Sequence, residues 1–111
     1  MRRGEVYWYD FGGKAKRRPV LVLTGSQSLP HLSTATVAIL TTTIRNTRSE
    51  VALSTAHGVP KACAVNLHQL HTVEQSALQQ RVTQLSEERM AAVELALAYS
   101  LGLGERADEL T

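Results

Sequence analysis

Apolar residues in the first three quarters of the chain occur in short runs, which glycine, proline and polar residues separate from one another. Runs of this length that are rich in valine and aromatic residues are typical of β-strands bounded by turns. They predict six strands, at residues 5–11, 19–24, 34–40, 50–53, 62–67 and 81–85. Pro19 can occupy only the first position of its strand, because it has no N–H to donate to a neighbouring strand.

The last quarter of the chain has a helical period. Its apolar residues recur at helical spacing: Leu85, Met90, Val93, Leu97 and Leu101. Ser86 is a suitable N-cap, and the two glutamates that follow it favour the start of a helix through the helix dipole. The pattern predicts a helix over residues 87–101 with one apolar stripe, stopped by Gly102, and a frayed tail at residues 103–111.

Many short strands followed by one helix predict a mainly β fold, a small half-open barrel with a C-terminal helix. A length of 111 residues leaves room for one domain, residues 1–111, and the helical stripe is also suited to a dimer. No apolar run approaches the roughly 20 residues of a membrane helix, and the N-terminus lacks a signal peptide. A cytoplasmic protein with no membrane contact is therefore expected.

Charge is distributed unevenly along the chain. The first 50 residues hold eight lysines and arginines and three acidic residues. The remaining residues hold four lysines and arginines and seven acidic residues. A basic half that faces one side would attract a polyanion such as nucleic acid, although the same charges also serve solubility.

Candidate chemistry lies where two predicted strands begin or end. Arg18 precedes Pro19, which favours extended backbone, and its permanently charged guanidinium is suited to holding a phosphate. Thr41 follows the apolar run 37–40, and Thr42 and Thr43 extend it into a hydroxyl cluster. Together these residues suggest a phosphodiester site. The alternatives are an arginine paired with a surface carboxylate and threonines that reflect β-propensity alone.

Other polar residues are less specific. Lys14, Lys16 and Arg17 are expected in a short cationic loop that contacts RNA without sequence preference. The single cysteine, Cys63, is expected to be a small buried apolar side chain, since it has no partner for a disulfide. The four histidines lack the spacing of a metal site, but His71 closes a strand near Gln69 and could reach a groove.

Five blocks, in order, resemble the MazF/PemK toxins of bacterial toxin-antitoxin systems. The stretch RRGEVYW is similar to that family's opening RGEIW, and RRPVLVLT to its RPVLVLS block. Residues 37–42 resemble its PLTS/T block, residues 63–73 its SVVnxdQIRTI block, and residues 81–90 its IGxLsxexM block. The match runs from residue 2 to about residue 103.

This resemblance implies an SH3-like barrel with a C-terminal helix, usually a homodimer, which needs no metal or cofactor and is neutralised by a cognate antitoxin. It also implies cleavage of single-stranded RNA by the ribose 2′-hydroxyl, which leaves a 2′,3′-cyclic phosphate and a 5′-hydroxyl. The family's catalytic arginine and threonine fall on Arg18 and Thr41. The residues expected to bind the substrate are Phe11, Lys14, Lys16, Arg17, Thr42, Gln69 and His71.

The chain departs from the family pattern in two places. Its first loop, residues 12–16, is short and lacks the usual glutamate, so the general base is unassigned. His71 replaces an arginine, and His68 replaces an acidic residue. Either change could alter the RNA sequence that is read, or could let His71 transfer a proton.

Two other functions are compatible with such a barrel. One is a non-catalytic poison that binds DNA gyrase, as relatives in the CcdB group do, and the other is a plain RNA-binding barrel. A poison that acts without catalysis has no need of a paired Arg18 and Thr41, so the sequence favours the endoribonuclease.

Overall fold

The computed structural model describes residues 1–14 and 16–105. Its elements are β1 (Glu5–Asp10), β2 (Arg17–Val22), β3 (Thr34–Thr41), β4 (Glu50–Leu53), β5 (Cys63–Glu74), β6 (Arg81–Gln84) and α1 (Glu87–Leu101). The strands form one antiparallel sheet in the order β4-β5-β3-β2-β1-β6, which curls into a half-barrel. This architecture confirms the predicted half-open barrel with a C-terminal helix.

The second predicted strand is displaced towards the N-terminus. Arg17 and Arg18 belong to β2 and not to the preceding loop, because β1 continues to pair with β2 as far as Asp10 opposite Arg17. The strand also ends at Val22, two residues before its predicted end, and Pro19 is its third residue and not, as predicted, its first. Arg18 is therefore held by a sheet rather than by a loop.

The fifth predicted strand was too short. β5 extends to Glu74, beyond the apolar run 62–67 and beyond His71, where the predicted strand closes, because β5 pairs with β3 again after a register shift between Ala38 and Ile39. Ala38 pairs with Leu70, but Ile39 pairs with Asn66, so residues 67–69 bulge out of the ladder. Polar residues beyond the bulge remain in the strand. A β-bulge of this kind bends the strand and locally changes where its side chains point.

Strand alternation divides the core between the two faces of the sheet. Leu21 and Leu40 face α1, where Val93 and Ala96 are buried against them. Val20 and Ile39 face the opposite side and pack with partly buried aromatic residues of β1. Because side chains alternate along a strand, adjacent residues of β2 and β3 serve different faces.

The helix has the predicted bounds but not the full predicted stripe. Ser86 accepts a hydrogen bond from the Arg89 N–H at 3.2 Å, and Gly102 ends the helix in a left-handed conformation with φ 67°. Leu101 is 54% exposed, so the stripe ends before it. Residues 106–111 of the predicted tail lie outside the described residues. No helix within the described ranges is long and apolar enough to cross a membrane.

A buried carboxylate joins β1 to β6. Glu5 accepts hydrogen bonds from Arg81 Nε at 2.6 Å, from the Tyr7 hydroxyl at 3.0 Å and from the Arg2 N–H at 2.5 Å. Burial by itself raises the pKa of the Glu5 carboxyl, but the hydrogen bonds from Arg81, Arg2 and Tyr7 outweigh it and lower the pKa. The ionised form of Glu5 is therefore the form that the fold stabilises.

This lowered pKa predicts a loss of stability in acid. The contribution of Glu5 to the free energy of unfolding is complete above the ordinary carboxyl pKa of 4.5 and is lost as pH falls through the lower pKa of the folded state. At pH 7, Glu5→Gln should destabilise the protein by about 1.5–3 kcal/mol, as expected for hydrogen bonds to a charged group. Urea unfolding between pH 7 and pH 3 measures both effects.

The matched control is Glu74→Gln. Glu74 is exposed at the end of β5, and within the described residues its side chain makes no ion pair. Replacing an exposed carboxylate of this kind changes stability little. Identical pH profiles for the two variants would contradict a special role for Glu5.

Candidate active site

Arg18 and Thr41 occupy matched positions at the same end of two neighbouring strands. Val20 pairs with Ile39, and both belong to the core cluster on the face away from α1. Arg18 lies two residues before Val20, and Thr41 lies two residues after Ile39. The β2–β3 pairing itself ends at Val20 and Ile39. In an antiparallel pair Arg18 and Thr41 are the next positions that share a face, so this register extended by two residues would set them opposite each other.

The Arg18 guanidinium is available to a ligand. It is partly buried, and its Cα partner on the other side is Tyr9 of β1. Within residues 1–14 and 16–105, no carboxylate lies within ion-pair distance of Arg18. The alternative of an arginine neutralised by a surface carboxylate therefore has no support from the described residues.

The Thr41 hydroxyl is oriented by the turn that follows it. The Thr43 N–H donates a hydrogen bond to Thr41 Oγ1 at 3.1 Å. Because this bond uses a lone pair, the hydroxyl proton of Thr41 can still be donated to another group. Thr42, the next residue, is exposed and lies on the opposite face from Thr41.

A cavity of about 220 Å³ opens beside these strand ends. Its lining residues are Trp8, Arg17, Arg18, Pro19, Leu40, Thr42, Pro60, Lys61 and Cys63. The Arg17 guanidinium stacks on the Trp8 ring at 4.9 Å, and Arg17 Nε donates to Gln79 Oε1 at 3.0 Å. Arg17 is thus fixed against an aromatic ring, which corrects the prediction of a loop residue.

His71 lies opposite a different part of β3 from Thr41. His71 pairs with Val37, so it shares the face of Arg18 and Thr41. Four residues separate Val37 from Thr41, a distance of about 13 Å at about 3.3 Å per residue. His71 instead contacts Phe11, whose ring centroid lies 5.2 Å away, and Phe11 contacts Tyr9 at 4.6 Å. These rings form an aromatic platform further along the same face.

Gln69 and His68 lie elsewhere. Gln69 lines an open depression of about 420 Å³ that also includes Arg45, Asn66 and Tyr99. Ser100 Oγ donates to Leu67 O at 2.7 Å and lies 3.0 Å from His68 Nδ1. Since the serine proton is engaged, the protonated Nδ1 of His68 donates to Ser100 Oγ. His68 therefore anchors the β5 bulge to the end of α1.

The remaining predicted residues fall into simple environments. Lys14 and Lys16 are exposed between β1 and β2. Cys63 is buried, as expected, and burial raises the pKa of its thiol.

His57 has a structural role. Its Nδ1 accepts the Ser54 N–H at 2.9 Å and so caps a turn. Among the described residues, no three His, Cys, Asp or Glu side chains lie together as a metal site.

Six of the nine residues that line the cavity are not among the predicted site residues: Trp8, Pro19, Leu40, Pro60, Lys61 and Cys63. Trp8 was assigned only to the first strand, and Pro60 and Lys61 were assigned only to a turn. The available signal was a lysine that follows proline directly before an apolar strand. That signal is weak, because turns at the surface commonly carry lysine.

Comparison with known proteins places the chain among toxins. The family model described as PemK-like, MazF-like toxin of type II toxin-antitoxin system matches residues 2–101. The chain is 41% identical over 100 residues to the probable endoribonuclease MazF5 of Mycobacterium tuberculosis, which covers 89% of this chain and 91% of that relative.

Solved structures agree with the sequence match. An endoribonuclease in complex with its cognate antitoxin from Mycobacterial species superposes with a TM-score of 0.85 at 26% identity, covering 96% of this chain and 99% of that chain. The Mycobacterium tuberculosis toxin MazF-mt6 superposes with a TM-score of 0.82 at 27% identity, covering 91% and 99%. Since sequence and fold match over nearly the whole length, the chain belongs to the PemK-like and MazF-like toxins of type II toxin-antitoxin systems.

Proposed function

We propose that Arg18 and Thr41 form the RNA-cleaving site of this endoribonuclease toxin. The observation that supports this most directly is the β2–β3 pairing, whose register, if extended by two residues beyond Val20 and Ile39, would set the two residues opposite each other on one face. Curated relatives at 41% and 37% identity are named as probable endoribonucleases. These names do not favour a gyrase poison or a plain RNA-binding barrel.

The proposed reaction uses the substrate's own nucleophile. The ribose 2′-oxygen attacks the adjacent phosphorus, the bond from phosphorus to the 5′-oxygen breaks, and a 2′,3′-cyclic phosphate forms. The 2′-hydroxyl gives its proton to a base, and the departing 5′-oxygen takes up a proton to become a 5′-hydroxyl. No water has to be activated in this step, so a metal ion is not required for nucleophile generation.

Arg18 and Thr41 suit the charge that develops in this reaction. The pentacoordinate phosphorane carries more negative charge than the starting diester, and a guanidinium that donates two hydrogen bonds stabilises it preferentially. The Thr41 hydroxyl accepts the Thr43 N–H and donates its own proton to a phosphate oxygen, which orients the phosphate.

The RNA is proposed to continue over the same face of the sheet. Phe11 and His71 would stack with unpaired bases, since single-stranded RNA is read largely by stacking and by hydrogen bonds to splayed bases. Lys14 and Lys16 belong to the same β1–β2 connection as Phe11 and would contact phosphates. Gln69, the other residue expected to bind the substrate, lines the depression beside β4 and α1.

The partner proposed for the toxin is a cognate antitoxin. A structural neighbour was solved as an endoribonuclease in complex with its cognate antitoxin. An acidic antitoxin segment that covers the basic strand ends would exclude RNA by occupying the same charges. A homodimer is proposed from the family resemblance, and the molecular mass of the purified protein in solution tests it.

Cleavage in the presence of EDTA tests the proposed function. The protein is incubated with a long single-stranded RNA in EDTA, and the 5′ ends of the products are mapped. We expect discrete cuts that EDTA does not reduce and that carry 5′-hydroxyl ends. A 2′-deoxy substitution at a mapped site should abolish that cut, because it removes the nucleophile.

Two results would contradict the proposal. Cuts that appear only when magnesium is restored would contradict a metal-independent reaction. A protein that leaves varied RNAs intact under all conditions would contradict catalysis. That result would favour a gyrase poison or a plain RNA-binding barrel.

A further inference from the structure

The cavity beside Arg18, termed the Trp8 pocket, has features that phosphate binding alone does not require. Apolar groups form most of its wall: Trp8, Pro19, Leu40 and Pro60. Arg17, Arg18 and Lys61 bring three positive charges to it, and none of its nine lining residues is acidic. Such a cavity fits a ligand with a flat apolar body and an attached anion.

The Trp8 wall is held rigidly. Arg17 stacks on the indole at 4.9 Å and is itself fixed by a hydrogen bond to Gln79 at 3.0 Å. Trp8 also pairs with Pro19 in the β1–β2 ladder. A preformed aromatic wall lowers the entropy lost when a planar ring stacks against it.

The size of the pocket selects among flat ligands. About 220 Å³ equals the volume of roughly seven water molecules at about 30 Å³ each. Pockets for drug-sized molecules have volumes of about 300–1,000 Å³. The Trp8 pocket is therefore suited to a single heterocyclic ring system and not to two stacked bases.

Strand alternation connects this pocket to the proposed catalytic pair. Thr41 shares a face with Arg18, whereas Thr42 lines the Trp8 pocket. Thr41 can thus contact a phosphate while Thr42 contacts the neighbouring base. Thr42 and Cys63 are further lining residues of the pocket, and burial raises the pKa of the Cys63 thiol.

From this arrangement we infer that the Trp8 pocket receives the base of the nucleotide next to the scissile phosphate of single-stranded RNA. The inference rests on the proposed function of Arg18 and Thr41. Trp8 stacks with the base, Thr42 contacts its edge, and Lys61 binds the flanking phosphate. Trp8, Thr42 and Lys61 are therefore specificity residues, and they act by binding the substrate.

Trp8 is the only tryptophan of the chain, so its fluorescence reports directly on the pocket. The probe is an RNA oligonucleotide that contains a mapped cut site and a 2′-deoxyribose at the cleaved position. We expect this RNA to change the Trp8 emission and to protect it from acrylamide quenching. An oligonucleotide that lacks the base next to the scissile phosphate should bind roughly 5- to 150-fold more weakly, the range for one stacked base, and should leave the emission unchanged.

Variants test the same point by cleavage. In Trp8→Ala the penalty for removing that base should disappear, whereas Trp8→Phe, which keeps a flat ring, should retain part of it. Lys61→Ala should weaken RNA binding about equally with and without the base, because it removes a phosphate contact. Arg48→Ala is the control, since Arg48 stacks on Tyr99 at 4.3 Å and does not line the pocket.

The outcomes separate the two proposals. If the wild-type protein cuts RNA but its Trp8 emission does not respond, the pocket is not a base site and the nuclease assignment stands. The same conclusion follows if folded Trp8→Ala keeps the full penalty for the missing base. If the wild-type protein neither binds nor cuts RNA, the pocket inference and the proposed function both fail.

Discussion

Arg18→Ala is expected to lower kcat/KM for RNA cleavage by about 10²–10³, the range for removing one preorganised donor from a transition-state site. The loss should appear mainly in kcat, because the guanidinium stabilises the extra charge of the phosphorane more than the charge of the bound diester. The fold should be retained, since Arg18 makes no recorded ion pair within the described residues. Single-turnover cleavage of an oligonucleotide with a mapped site measures the effect.

Three variants separate geometry from charge in this experiment. Arg18→Lys keeps the positive charge but cannot donate two parallel hydrogen bonds to one phosphate, as a guanidinium can. It should therefore retain only part of the wild-type activity. Arg48→Ala removes one positive charge away from the site and should cleave like the wild type. Thr41→Val keeps a β-branched side chain but removes the hydroxyl that accepts the Thr43 N–H, and it should lose about 10² in kcat/KM.

A loss as large in Arg48→Ala as in Arg18→Ala would show that net charge, and not the position of the guanidinium, controls cleavage. Full activity in a folded Thr41→Val variant would remove Thr41 from the proposed site. Circular dichroism and urea unfolding of each variant distinguish lost chemistry from lost structure.

The largest effect on stability is expected from Leu21→Ala. Leu21 is 0% exposed in the central strand β2 and belongs to the core cluster that includes Val6 and Val93. Truncating a buried leucine removes apolar contacts and leaves a cavity, which costs about 2–5 kcal/mol. A domain of this size has only about 5–15 kcal/mol of stability, so the variant should unfold at a much lower urea concentration.

Leu95→Ala provides the matched comparison. Leu95 lies on α1 and is 76% exposed, so the same truncation should change the free energy of unfolding by less than about 0.5 kcal/mol. Equal losses for the two leucines would contradict the assignment of Leu21 to the core and of Leu95 to the surface.

Local features of the sequence predicted the elements most reliably where two independent signals agreed. The helix Glu87–Leu101 combined helical periodicity with an N-cap at Ser86 and a glycine stop, and its bounds are as predicted. The strand β5 had no such boundary signal. Its apolar run ends at the bulge, and its continuation to Glu74 depends on pairing with β3, which the local pattern does not contain.

The sequence by itself determined the number of strands, their positions along the chain, the closing helix and the residue types suited to phosphate chemistry. Periodicity and capping act over a few neighbouring residues, so the chain encodes them locally. Only the tertiary structure decided that the strand end with Arg18 lies beside the strand end with Thr41, that His71 is displaced along the sheet, and that Arg17 stacks on Trp8. These relations join distant segments, and strand register, a bulge and core packing set them together.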